Sequence, residues 1–252
     1  MFAQELNIDT ISNNLANVTT TGFKRNRVEF QDVLYQTLRV AGSAVTQTQV
    51  SPTGLQVGLG VRPAATTKMF HQGDFQRTDN PLDIALEGDG FFQIQTCEGQ
   101  TTAYTRDGSF KVDANGRLVT SDGNFLQPNI TIPQDAIFVS IGQDGTVSVV
   151  TNNVSQPQQI GQILLARFVN PAGLVATGQN LFVESAASGP PQIGPPGCNG
   201  FARTIQGFLE ASNVRIVEEL VRMIVAQRAF EVNARCVKAS DDMLGEAVNL
   251  RR

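Results

Sequence analysis

VRIVEELVRMIVAQRAFEVNARCVKASDDMLGEAVNL, residues 214–250, is the stretch on which the fold turns. Val214, Val217, Val221, Val225, Ala229, Val232, Cys236, Ala239, Met243, Ala247 and Leu250 are all apolar, and their steps of three and four average about 3.6, the period of a straight α-helix. A second row, Met223, Phe230, Val237 and Leu244, repeats every seven residues beside the first. Glu218, Glu219, Arg222, Arg228, Glu231, Arg235, Lys238 and Asp242 supply most of the polar remainder. Ser212 or Asn213 is placed to cap the start, where the helix dipole also favours the two glutamates.

Outward from that helix, the N-terminus carries a shorter version of the pattern. Ile8, Ile11, Leu15 and Val18 stand at heptad a/d spacing before a stop at Gly22. Asn13, Asn14 and Asn17 lie on the same segment, either on a polar solvent face or with one buried to fix register. At 1.5 Å per residue the C-terminal helix is about 55 Å long and the N-terminal one about 22 Å. The in-chain partner is therefore too short, and a wide apolar stripe is left for other copies, whose arrival would order the chain ends. The candidate assembly surface is Ile8, Ile11, Leu15, Val18, Val217, Leu220, Val221, Ile224, Val225, Phe230, Val232, Val237, Met243 and Leu244.

Between the helices, short apolar runs alternate with turn dipeptides. Asp107-Gly108, Asn115-Gly116, Asp122-Gly123 and Asp144-Gly145 are hairpin-type turns, since Asn, Asp and Gly tolerate positive φ. Residues 91–95, 104–112, 117–120, 136–141, 146–150 and 163–168 read as strands of an antiparallel β domain. The expectation is a mixed α and β, multi-domain chain, with terminal helices pairing in a coiled-coil-like core domain. Its parts are an N-terminal helix to residue 23, an extended arm over 24–65, the β domain over 66–186, a Gly/Pro-rich linker over 187–205, and the C-terminal helix segment from 206.

Composition excludes several functions. Charged residues are 17%, against roughly 25% for soluble proteins, and the net charge of −4 leaves no basic footprint for a phosphate backbone, so nucleic acid is disfavoured. Cys97, Cys198 and Cys236 are far apart and odd in number, which argues for buried or incidental thiols and against a disulfide framework or a zinc site. No apolar run spans a bilayer and residues 1–5 lack the pattern of a secretory signal, so neither membrane insertion nor a cleaved signal is expected. His71 is the only histidine, with Asp74 and Asp79 its nearest acids, and reads as a solvated loop residue. Asp113-Ala114-Asn115-Gly116 lacks the further ligands of a calcium loop, and Gly88-Asp89-Gly90 precedes a strand instead of a helix. No cofactor, metal or catalytic residue is expected. Lys24-Arg25-Asn26-Arg27 reads as a solvated basic cluster.

NNLANVTTTGFKR at 13–25, DIALEGDGFF at 83–92 with YTRDGSF at 104–110, and SNV, EELV and QRAFE at 212–214, 218–221 and 227–231 resemble, in order, the three signatures of flagellar rod and hook proteins. The resemblance covers nearly the whole chain. It implies a non-enzymatic subunit of a helical homopolymer in the basal body, exported through the flagellar type III apparatus. Proximal rod, hook and ring bushing are the implied partners. FQDVLYQTLR at 30–39 and SPTGLQVGLGV at 51–61 are similar to an arm that, in rod members, packs between subunits and keeps the polymer straight where the hook bends. Leu55, Val57, Leu59 and Val61 are its candidate contact residues. Family members carry further helical turns before the position of Phe2, and the stripe here starts abruptly. The alternatives are a proximal rod or hook subunit, or more distantly an exported binding module or cell-wall enzyme working through Asp89, Asp107 or His71.

Overall fold

The computed structural model describes residues 1–249 except Ser43, Gln47, Thr48, Ser51, residues 97–100 and Asn153, with the backbone alone at 44–46, 49–50 and 154–155. Ser51, Cys97 and Leu250, singled out above, lie outside the described residues. Two helices, α1 (Phe2–Ala16) and α2 (Ile216–Asn249), bracket a largely antiparallel β-rich middle, so the chain is of mixed α and β class. Its contacts divide it into two compact units. A helical unit contains Met1–Asn13, Asn26–Thr67 and the chain from Val217 onward, and a β unit contains Asn14–Arg25 and Lys68–Ile216.

In the helical unit, α2 runs uninterrupted because no proline falls within it and Gly245 is its one glycine. Glu218 and Glu219 occupy its first turn, as the dipole favours. Three two-stranded ribbons follow one another along residues 26–68. Asn26–Asp32 pairs with Val61–Lys68, Tyr35–Arg39 with Leu55–Gly58, and Ala44–Thr46 with Gln49–Val50. Every residue of Tyr35–Arg39 and Leu55–Gly58 is exposed.

The β unit is built on a nine-stranded sheet with Phe91–Gln95 at its centre, hydrogen-bonded to Thr102–Thr105, Phe125–Gln127 and Leu165–Arg167. Successive side chains of a strand face opposite ways, and here both faces are covered. Phe92 and Ile94 join Leu86, Leu126, Val147, Ile163 and Leu165 in the larger core, while Phe91 joins Tyr104, Phe168 and Phe182 on the other face. Edge-to-face ring pairs pin both layers, Phe92 with Phe110 at 5.0 Å and Tyr104 with Phe168 at 4.8 Å. A three-stranded sheet, Ala136–Ile141, Thr146–Thr151 and Val154–Gln162, contributes Val147 and Val149 to the larger core.

The structure corrects three readings of the elements. Val18 lies beyond α1, in a turn where its N–H reaches the Leu15 carbonyl at 3.3 Å. The strand expected over 104–112 is cut at its middle, because the Asp107 side chain accepts from the Ser109 N–H at 3.0 Å and Gly108 passes so close to the Ile84 carbonyl that a Cβ there would collide with it. Within the stretch 187–205 expected as a semi-rigid Gly/Pro-rich linker, Gln192–Gly194 forms an edge strand on Leu165–Arg167, a position where the flanking prolines remove no ladder hydrogen bond. Of the cysteines expected to be buried or incidental, Cys198 and Cys236 are exposed free thiols.

Candidate assembly interface

The first part of the interface is α2. Glu219 and Ala226 are buried, and Met223, Ala229, Phe230 and Ala234 are half-buried. At 100° per residue all but Ala229 lie on one side of the helix. Val217, Leu220, Val221, Ile224, Val225 and Val232 fall within an arc of roughly 140° on the opposite side, and all are exposed, Val217 to 74%. Beyond Ala234 the covered side loses its cover as well. Val237, Leu244 and Val248 continue the row of Met223 and Phe230 but are exposed, as is Met243. Of the α1 candidates, Ile11 is buried while Ile8 and Leu15 are half-buried, and Val18 is half-buried in the following turn. The α2 candidates thus remain available to another molecule except Phe230, whereas those of α1 are largely spoken for within the chain.

The second part is the arm. Leu34, Tyr35, Leu38, Val40, Leu55, Val57, Leu59 and Val61 are all exposed, on a ribbon only two strands wide. Two-stranded ribbons are marginal in water without cover, and this one leaves its large apolar side chains exposed.

Apart from these surfaces, the β unit holds a buried ionic cluster that no helical or strand period announced. Phe208–Glu210 pairs with Phe75–Arg77, which carries Glu210 into the β unit just ahead of α2. Its Oε1 accepts from Lys24 Nζ at 2.6 Å and from the Gly73 N–H at 2.9 Å, while Oε2 accepts from Arg106 at 3.3 Å. Lys24 also donates to the His71 carbonyl at 2.8 Å, and Arg106 to the Gly88 carbonyl at 2.8 Å. Lys24 and Glu210 are fully buried, so the expectation of a solvated Lys24 is corrected. Burial holds the Lys24 amine below its ordinary value against the attraction of Glu210, and does the same to the Arg106 guanidinium.

Beside this cluster, Asn213 accepts from the Arg25 N–H at 2.8 Å and donates to the carbonyls of Met69 and His71. Asn213 is therefore a bridge instead of a helix cap; Ser212 Oγ accepts from the Val214 N–H at 3.3 Å. The Gly22 N–H reaches the Glu210 carbonyl at 2.8 Å. Together these bonds hold the segment that follows α1 alongside the segment that precedes α2 within the β unit. The arrangement is a mechanical anchor, without the paired acid, base and nucleophile of a catalytic site. His71 is exposed and contributes its carbonyl to the anchor. Among the described residues, no three His, Cys, Asp or Glu side chains gather as metal ligands and no helix is long and apolar enough to cross a membrane.

Three family models match the chain: flagella basal body rod protein over residues 1–24, flagellar hook protein FlgE/F/G D1 domain over 85–149, and flagellar basal body rod FlgEFG protein C-terminal over 205–250. The flagellar basal-body rod protein FlgG of Borreliella burgdorferi is 52% identical across 100% of this chain and 96% of its own length. That of Caulobacter vibrioides is 47% identical, again across 100% of this chain and 96% of its own. The flagellar hook protein FlgE of Helicobacter mustelae is 47% identical, but over 50% of this chain and 28% of its own length.

Proposed function

Because this chain belongs to the flagellar basal-body rod protein family and is a structural subunit of the rod, not an enzyme, we propose that it builds the distal rod. In this reading α1 and α2 of successive copies pair in a coiled-coil-like inner layer, and the subunits form a rigid helical tube that carries motor torque to the hook. The single observation that supports it is the exposed apolar arc of α2 from Val217 to Val232, which water alone would face in a monomer. Leu55, Val57, Leu59 and Val61 of the arm pack between subunits and hold the tube straight. Proximal rod, hook, ring bushing and export apparatus are the partners, and export proceeds without a cleaved signal peptide. The relatives that span the full chain are named for the rod, while the hook relative matches half of it, which favours rod over hook.

Electron microscopy of the purified protein over a concentration series tests this reading. Straight filaments are expected above a threshold concentration, and none from the chain lacking residues 216–252. Filaments that persist after that deletion would sink the helical-layer reading.

A further inference from the structure

The β unit contains a cleft of about 280 Å³ that the anchor and the helix face do not explain. Its floor is aromatic, from Phe91 and Phe168, and its wall carries Asp89, Arg106 and Arg167. Arg106 is 3% exposed; its terminal nitrogens are taken by Glu210 and the Gly88 carbonyl, and its Nε has no hydrogen-bond partner. Behind the wall, Glu210 is shared between Lys24 and Arg106. The charged lining of the cleft is Arg106, Arg167 and Asp89, two cations against one carboxylate, which leaves one positive charge in excess. On its rim stands Val169, which is 81% exposed.

Only one large apolar side chain among the described residues is more exposed than Val169, and that is Leu34 at 84%. Leu34 lies in the two-residue connection between Asn26–Asp32 and Tyr35–Arg39, with exposed Asp32 before it and exposed Tyr35 after it. Four consecutive residues therefore present a carboxylate, an aliphatic and an aromatic side chain, the complement of a cationic cleft with an aromatic floor and an aliphatic rim. We infer that this cleft receives residues 32–35 of a second copy of the chain, with Asp32 facing Arg167 and Leu34 lying against Val169. The inference rests on the polymer reading above and adds to it the site at which one subunit's arm is held by the next.

Cross-linking in the assembled polymer tests it. In a chain with Cys97, Cys198 and Cys236 changed to serine, Leu34→Cys and Val169→Cys together are expected to give a ladder of covalent oligomers on oxidation, and neither alone. Filaments without that ladder would overturn the inference while leaving the polymer reading intact, as would a ladder from Ile137→Cys with Val169→Cys in its place. Absence of filaments from the unsubstituted chain would overturn the polymer reading and this inference with it. Arg167→Asp and Asp32→Arg should each raise the filament threshold about fivefold, and the two combined should restore it. Failure of the double variant to recover, with each single variant still folded, would also count against the pairing.

Discussion

Glu210 carries the largest single share of the anchor, because one buried carboxylate serves two buried cations and a backbone N–H. Truncating it leaves Lys24 and Arg106 buried without their counter-charge, a change that costs about 3–5 kcal/mol. Glu210→Ala is therefore expected to lower the urea midpoint of the β unit steeply, and a variant as stable as the parent would refute the anchor. Lys24 adds a pH dependence of definite sign. Its folded pKa lies below the 10.5 of the free side chain, chiefly through burial, so above the depressed value the unfolded chain holds a proton that the folded chain has released. Stability then rises with pH between that value and 10.5, and Lys24→Met should remove this part of the slope in urea unfolding followed into the alkaline range. None of this was legible in the sequence. Lys24 stood in a run that read as surface charge, and residues 24 and 210 are brought together by tertiary folding alone, with no local spacing to announce them.

At the scale of elements, α2 was legible because its period is long and unbroken, yet the period could not say which side is covered. Two apolar rows run along it; the chain covers the one through Met223 and Phe230 as far as Ala234 and leaves the arc of Val217, Leu220, Val221, Ile224, Val225 and Val232 exposed. The boundary follows from the supply of in-chain partners, which a helical period does not encode. Short strands were harder. The run 104–112 looked continuous in its apolar residues, but a side-chain turn at Asp107 and the close pass of Gly108 by Ile84 divide it. Likewise Gly-Pro-Pro on either side of residues 192–194 signalled a linker, although an edge strand accommodates those prolines equally well. The exposed arc makes its own prediction. Val221→Asp with Val225→Asp adds two charges where both side chains are exposed, so the unfolding free energy should stay within about 1 kcal/mol of the parent. Filament formation should be abolished, as seen by sedimentation; filaments that pelleted normally would show that the arc is not an interface.

For the whole molecule, the order helix, β-rich middle and helix was written in the sequence, because turn dipeptides, alternation and the 3.6 period mark each change of regime. The division into two units was not, since the helical unit is assembled from three separated stretches of chain and the β unit from two. That discontinuity gives the β unit its anchor for both terminal segments, while much of the apolar surface of α2 and of the arm is left outward. The proposed rod polymer would draw on this combination of an anchored β unit and exposed apolar surfaces. Amide hydrogen exchange along residues 216–249, compared between monomer and filament, tests it most directly. Slow exchange in the filament with fast exchange in the monomer, and little change within the nine-stranded sheet, is the predicted result. Equal protection of α2 in both states would contradict the account, because the helix would then owe nothing to its neighbours.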